Sequence, residues 1–246
     1  MENKVNVLGV YVDKVTVSQA ADRILSYIDA DGPHCVFTPN SEMIMSAYRD
    51  PALREVLNSA DLCTPDGIGV VYASKLLQSP MPERAAGYDI ACALLPKLSK
   101  RHLSLYLFGA KPGVAQAAAN AINAQYPGIH ICGAADGYFD EAKEQAIIAD
   151  IAKKQPDVVF VCLGVPKQEF WIHKNKARLN ARVLMGLGGC LDVFAGTVKR
   201  APEIYQKLGI EWLYRLAKEP KRIGRMMDLP KFAATVLIKG RKFPQD

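Results

Sequence analysis

Short runs of β-branched and other apolar residues alternate along this chain with longer stretches whose apolar positions recur every three to four residues. The first kind reads as strands over Val5–Val12, Cys35–Thr38, Leu103–Gly109, Ile129–Gly133, Val158–Gly164 and Val183–Leu187. The second reads as helices over Ser18–Ala30, Glu42–Asn58, Gly87–Lys100, Pro112–Tyr126, Glu141–Lys154 and Lys167–Asn175. Ser18 suits an N-cap, and Pro112 suits the first turn of its helix. Strands that are apolar on both faces and separated by helices predict a mostly parallel sheet with helices on both sides, a Rossmann-like α/β fold.

Folds of this kind bind ligands beyond the carboxyl ends of their strands, so the segments that follow the strands are the ones to search. They are polar, small or glycine-rich: Thr38-Pro39-Asn40; Thr64-Pro65-Asp66-Gly67-Ile68-Gly69 after Leu62-Cys63; Gly109-Ala110-Lys111-Pro112-Gly113; Asp136-Gly137-Tyr138-Phe139; Gly164-Val165-Pro166-Lys167-Gln168-Glu169; and Gly186-Leu187-Gly188-Gly189. Helices that start at such loops direct free N–H groups above the sheet, where a phosphate can sit. Asp66 occupies a strand-to-helix corner, where a carboxylate can serve either as a reactive acid or as an Asx-turn or N-cap. Thr38 and Asn40 fit turn chemistry or hydrogen bonding to a sugar. The Gly164-x-Pro166 turn throws Gln168 and Glu169 above the sheet, and Asp136-Gly137 starts either a plain turn or a loop that closes over a base.

Several chemistries are missing their signatures. No G-x-x-x-x-G-K-[ST] loop is present, and Gly186-Leu187-Gly188-Gly189 is only a fragment of a dinucleotide fingerprint, which argues against a nicotinamide-dependent oxidoreductase. Asp29-Ala30-Asp31 matches an Asp-x-Asp metal pair in letters alone, since it falls at a helix end before Gly32-Pro33, on the wrong side of the next strand. No other carboxylate pair has ligand spacing, so no obligatory metal or cofactor is expected, and leaving-group charge falls to Arg, Gln and helix termini. His34, His102, His130 and His173 are isolated, three of them just before strands. The six cysteines are widely spaced with no C-x-x-C, which suits a reducing compartment. The N-terminus lacks the apolar core of a signal peptide, and no run reaches the roughly 18 apolar residues of a spanning helix.

Charge divides the chain. Positions 199–246 hold 12 Lys and Arg against 5 Asp and Glu, leaving 19 against 20 in positions 1–198. The strand–helix alternation stops at the same place, so two units are expected: a catalytic α/β domain over 1–198 and a basic helical appendage over 199–246. Arg200, Arg215, Arg222 and Arg225 share that tail with Trp212, Tyr214, Met226, Met227 and Phe232. A basic face opposite an apolar, aromatic one suits a helix lying in an anionic membrane surface. RNA is the competing partner for a basic patch, but no RNA-binding module signature is present.

The motifs Thr38-Pro39-Asn40, Asp66-Gly67, Arg84-x-x-Gly87-x-Asp89, Gly164-x-Pro166-x-Gln168-Glu169-x-Trp171, Gly188-x-x-x-Asp192-x-x-Ala195-Gly196-x-x-x-Arg200-Ala201-Pro202 and Glu211-Trp212-x-x-Arg215-x-x-x-x-Pro220-x-Arg222 occur in order over nearly the whole chain. In this the sequence resembles the WecG/TagA/CpsF glycosyltransferases, glycosyltransferase family 26. The resemblance implies an inverting, metal-independent transfer from a UDP-sugar to an undecaprenyl-diphosphate-linked sugar. In the members most like this chain, N-acetylmannosamine passes to lipid-linked N-acetylglucosamine in wall teichoic acid linkage-unit synthesis; others move N-acetylmannosaminuronic acid or glucose. It further implies Asp66 as general base, with Thr38 and Asn40 holding the acceptor or transferred sugar. Arg84 and Gln168 would contact the donor. Gly109, Asp136, Gly137, Gly164, Glu169, Gly189 and Asp192 would line the UDP-sugar pocket, and Arg215, Arg222 and Arg225 would meet the lipid diphosphate. The implied location is cytoplasmic, peripheral at the inner face of the cytoplasmic membrane, with no nucleic-acid partner and self-association left open.

Overall fold

The valine-rich start of the chain folds back on itself. In a computed structural model, which describes residues 3–202, 204–205, 211–218, 228–243 and 245 (the side chains of Arg215 and Lys218 aside), Leu8 and Gly9 both take positive φ, 54° and 93°. Two consecutive left-handed residues make the tight turn of a hairpin, and β1 (Lys4–Val7) pairs antiparallel with β2 (Val10–Asp13). The single strand expected over Val5–Val12 is thus corrected to a small separate sheet, its turn held by the Gly9 N–H donating to Asn6 Oδ1 at 2.8 Å.

The main sheet comprises β3 (His34–Phe37), β4 (Leu62–Cys63), β5 (Ser104–Gly109), β6 (His130–Ala135), β7 (Val158–Cys162) and β8 (Val183–Gly186), ordered β4-β3-β8-β7-β5-β6, and each neighbouring pair is parallel. The helices are α1 (Val17–Ile28), α2 (Ser41–Arg49), α3 (Pro51–Asn58), α4 (Ile68–Leu76), α5 (Gly87–Lys100), α6 (Val114–Gln125), α7 (Glu141–Lys154), α8 (Lys167–Asn175), α9 (Cys190–Phe194), α10 (Glu211–Lys218) and α11 (Asp228–Lys239). The Rossmann-like expectation therefore holds. Three helix boundaries differ from it for local reasons. Thr16, not Ser18, caps α1 by exchanging hydrogen bonds with Gln19 in a capping box. The expected helix over Glu42–Asn58 breaks at Asp50, which is extended before Pro51 and caps α3 through the N–H groups of Ala52 and Leu53. Gly113, at φ 84°, caps α6, so Pro112 lies outside the helix.

Strand residues alternate between two cores. On β7, Val159 and Val161 join Phe37, Ile44 and Trp171 on one side, while Val158 and Phe160 join Ile24, Leu94 and Ile122 on the other. Burial on both faces, at about 1.5–3 kcal/mol for each large apolar side chain, explains why the strands read as unbroken apolar runs. On the first face α11 seats Phe232 and Val236 among residues of α2 and α4, so Phe232, expected on an apolar face turned to a membrane surface, is corrected to a core residue. Near the C-terminus, Gln245 exchanges hydrogen bonds with the Asn6 backbone.

One buried carboxylate ties the hairpin to this framework. Asp13 accepts from Arg23 Nη1 at 2.8 Å and from the Cys63 N–H at 2.9 Å, and Lys4 Nζ lies 3.3 Å away. Asp13→Ala leaves the Cys63 N–H without its acceptor, and we expect it to cost about 2–3 kcal/mol in urea unfolding. A change within error would show that the hairpin is held by apolar packing alone.

Candidate active site

Parallel strands end on one edge, and the loops beyond that edge meet. After β5, β7 and β6 the backbone is stitched across: the Ala110 N–H donates to Cys162 O at 3.0 Å, and the Gly137 N–H to Ala110 O at 2.9 Å. Gly109 takes φ +130°, and a Cβ there would lie 2.2 Å from Cys162 O; only glycine lets these two strand ends approach so closely. Above the stitched loops opens a cleft of about 610 Å³. Its walls are Ala110 and Lys111 after β5, Gly137, Tyr138 and Phe139 after β6, Cys162, Leu163, Gly164 and Lys167 after β7, and Gly188, Gly189 and Asp192 after β8.

Of the pocket residues expected from sequence, Gly137, Gly164, Gly189 and Asp192 line this cleft, and Gly109 supports its floor. Asp136 is instead a turn former, accepting from the Tyr138 N–H at 2.9 Å and from Lys143 Nζ at 3.0 Å. Lys111 and Lys167 also line the cleft, from the glycine-rich loops after β5 and β7, and are functional candidates beyond those expected from sequence. Lys167 Nζ sits 4.2 Å from the centre of the Phe139 ring. A cation after each of two glycine turns was the available signal.

Gln168 and Glu169 lie behind the wall rather than in it, 1% and 0% exposed. Gln168 Nε2 donates to Glu169 Oε1 at 2.8 Å, and Gln168 Oε1 accepts the Gly188 N–H at 2.9 Å. Their expected contact with the donor is corrected to support of the glycine loop through that chain. Among the described residues Glu169 Oε2 has no hydrogen-bond partner, and burial pushes the carboxyl up to about 7, only partly offset by Gln168.

On the neighbouring strand ends lie the other expected residues. Thr38, buried, donates from Oγ1 to Gly186 O at 3.2 Å, stitching the end of β3 to β8. Asn40, exposed, caps α2 by accepting from the Met43 N–H. Asp66 is half-buried, its N–H donating to Pro39 O at 3.1 Å. The cap position of α4 falls on Gly67, with no side-chain cap hydrogen bond, so Asp66 does not serve as that N-cap. Packing there is tight: a Cβ on Gly69 would lie 2.3 Å from Ser41 Oγ, and one on Gly87 3.0 Å from Thr38 Oγ1. The N-termini of α2, α4 and α5 therefore converge around Asp66 and Thr38, and their positive ends favour an anion. Asp66's strand, β4, stands two strand spacings, roughly 10 Å, from β8 at the cleft's edge.

Arg84 precedes Ala85, whose N–H donates to Pro65 O, so it belongs to the same rim. Its guanidinium is spent on carboxylates, Nη1 on Glu211 at 2.5 Å and Nη2 on Asp89 at 2.8 Å. Arg215 lies on α10, while Arg222 and Arg225 lie outside the described residues. The histidines are elsewhere: His34 stacks on Tyr27 at 4.4 Å and His173 meets Ser59 at 3.1 Å. Asp29, of the Asp-x-Asp letters, is held by Arg101. Among the described residues no three His, Cys, Asp or Glu side chains cluster as metal ligands, and no helix is long and apolar enough to cross a membrane.

A parallel sheet with a nucleotide-sized cleft beyond its carboxyl edge, and a carboxylate on the same rim, defines a Rossmann-like α/β enzyme. The chain belongs to a glycosyltransferase family: residues 5–245 match the glycosyl transferase WecG/TagA/CpsF family. It is 40% identical over 228 residues (92% of this chain, 88% of the relative) to the N-acetylglucosaminyldiphosphoundecaprenol N-acetyl-beta-D-mannosaminyltransferase of Bacillus spizizenii. The enzymes of that name from Bacillus subtilis and Staphylococcus aureus are 41% identical over 211 residues (86% and 82%) and 36% identical over 241 residues (97% and 94%).

The buried acid gives a pH signature. A carboxyl that titrates near 7 when folded, against 4.5 ordinarily, binds its proton more tightly in the folded chain. Its contribution to stability is therefore full below about pH 4.5 and is lost as pH rises through 7. Glu169→Gln removes that loss, so at pH 8 the variant should be more stable than wild type by about 2–3 kcal/mol, the difference vanishing towards pH 4.5. Urea titrations across that range check it, and a difference independent of pH would place Glu169 in water.

Proposed function

We propose that this glycosyltransferase moves N-acetylmannosamine from UDP-N-acetylmannosamine to undecaprenyl-diphosphate-linked N-acetylglucosamine, with inversion and with no metal held by the protein. The observation that carries this reading is the 36–41% identity, across most of both chains, to relatives whose name states that acceptor and that transferred sugar. The cleft and the rim support it, because they offer a nucleotide site and a carboxylate on one edge of the sheet.

In this reading the uridine diphosphate lies in the cleft, its phosphates towards Lys111, Lys167 and the Gly189 end of the Gly188-Gly189 loop, whose Gly188 N–H is held by Gln168. The transferred sugar points along the rim towards Thr38, Asn40 and Asp66. The acceptor hydroxyl enters from the β4 side, opposite the diphosphate. As its oxygen attacks the anomeric carbon, its proton passes to the Asp66 carboxylate. The bond from that carbon to the phosphate oxygen breaks, and UDP leaves with the electron pair. The new bond forms on the opposite face, so the configuration inverts. The basic stretch 199–246 serves as the unit that meets the lipid diphosphate and an anionic membrane surface at the cytoplasmic face, with Arg215, Arg222 and Arg225 as its diphosphate contacts. Forked guanidinium groups suit phosphate oxygens, and each basic side chain near such a surface adds about 1 kcal/mol of binding.

The test is mass-spectrometric product analysis with a panel of UDP-sugars and a short-chain lipid-diphosphate N-acetylglucosamine. UDP-N-acetylmannosamine should be the preferred donor, and a clear preference for UDP-glucose or the uronic acid would replace the donor named here. Asp66→Asn should lower kcat by about 10²–10⁴-fold while UDP still binds as to wild type. Undiminished turnover in that variant would take the base assignment away from Asp66.

A further inference from the structure

Four charged side chains from four different segments close into a square beside the rim. Arg84 Nη1 meets Glu211 Oε1 at 2.5 Å and Arg84 Nη2 meets Asp89 Oδ2 at 2.8 Å. Arg200 Nη1 meets Asp89 Oδ1 at 2.6 Å, and Arg200 Nη2 lies 3.6 Å from Glu211 Oε1. The signs alternate and cancel. Arg200 also lies over the Tyr88 ring, its guanidinium carbon 4.9 Å from the ring centre, and Tyr88 packs on Phe194 at 5.0 Å. Asp89 sits in the first turn of α5, and Arg200 is held against it by the Tyr88 ring. The fourth corner, Glu211, opens α10 and is only 12% exposed.

On α10 Trp212 and Leu213 are exposed, while Tyr214 and Leu216 are half-buried and Tyr214 packs on Tyr205 at 5.4 Å. Glu211 supplies its described ion pairs to the rest of the protein. The place where it is tied is specific. Arg84 is followed by Ala85, whose N–H donates to Pro65 O and whose carbonyl accepts from Thr64 Oγ1, the backbone next to Asp66.

We infer that Arg84, Asp89, Arg200 and Glu211 form an electrostatic latch that seats α10 at the Asp66 side of the rim, which makes Glu211 a positioning residue for the lipid-linked acceptor. Arg84 then acts as the anchor of this latch rather than as a donor contact. The part that concerns the acceptor rests on the function proposed above. The latch itself does not. An ion-pair latch, unlike a hydrophobic seam, can open and close without exposing apolar surface, and its partly exposed pairs weaken with salt.

Hydrogen exchange on the full chain, read over residues 211–218, tests the latch directly. Glu211→Gln keeps the shape and removes the charge, and it should speed exchange of those amides about tenfold. Arg200→Ala, at the opposite corner, should do the same. In steady-state assays both variants should raise KM for the lipid-linked acceptor about tenfold and leave KM for the nucleotide donor unchanged, and Glu211→Gln should also leave the thermal midpoint unchanged. Unaltered exchange in both variants overturns the latch. Faster exchange with an unaltered acceptor KM, or an equal rise in both KM values with a lower midpoint, overturns the positioning role. A wild-type chain that transfers nothing to this acceptor would count against the proposed function, and the exchange comparison would still decide the latch.

Discussion

The parallel pairing of β3 with β8 joins two halves of the molecule that the chain lays down far apart. His34, Cys35 and Val36 pair with Val183, Leu184 and Met185, and past the last pair Thr38 Oγ1 donates to Gly186 O. On one side of this seam lie β3 and β4, with Asn40 and Asp66 at their ends. On the other lie β8, β7, β5 and β6, with the cleft beyond them. Because every strand runs the same way, both halves present their carboxyl ends to one rim. Were the seam to slip by one residue, the strand faces would exchange cores and Thr38 would lose its bond. The burial of Val36 and Met185 in one core, with Cys35 and Leu184 in the other, holds the register.

Polar groups just beneath the rim extend that rigidity. Glu169 orients Gln168, and Gln168 holds the Gly188 N–H, so a glycine loop that lines the cleft is braced from inside by a buried acid. Leaving a carboxyl oxygen unpaired in the core costs stability. The site therefore rests on a support that itself costs stability, which is a common feature of functional sites. Outside the rim the design reverses: the square of Arg84, Asp89, Arg200 and Glu211 pairs its charges in partial contact with water.

Much of this was legible beforehand. Apolar runs such as Val158–Cys162 announce a sheet buried on both faces, and the glycine-rich segments after the strands mark the cleft. Helices α7 and α8 begin and end where periodicity places them. Errors arose where short-range chemistry competed with pattern. The run of valines around Leu8-Gly9 hid a hairpin, and Asp50-Pro51 cuts a helix that continuous periodicity carries through. The deeper misses concern distance along the chain. Glu169 reads as a side chain thrown above the sheet into the pocket until the fold buries it behind the wall. The bond between Arg84 and Glu211 spans 127 positions, and nothing local announces it. Phe232 reads as part of a membrane-facing apolar face because its partners on α2 and α4 lie far back in the sequence.

The central claim is that the cleft and Asp66 belong to a single site, with the diphosphate bridging the seam between β8 and β3. Diffraction from crystals grown with UDP tests it most directly. The account predicts uridine between the loops after β5 and β6, beside Ala110, Gly137 and Tyr138, with the terminal phosphate at Gly188-Gly189 and directed towards Asp66. UDP bound outside this cleft, or reversed so that its terminal phosphate points to β6 and away from Asp66, would contradict it.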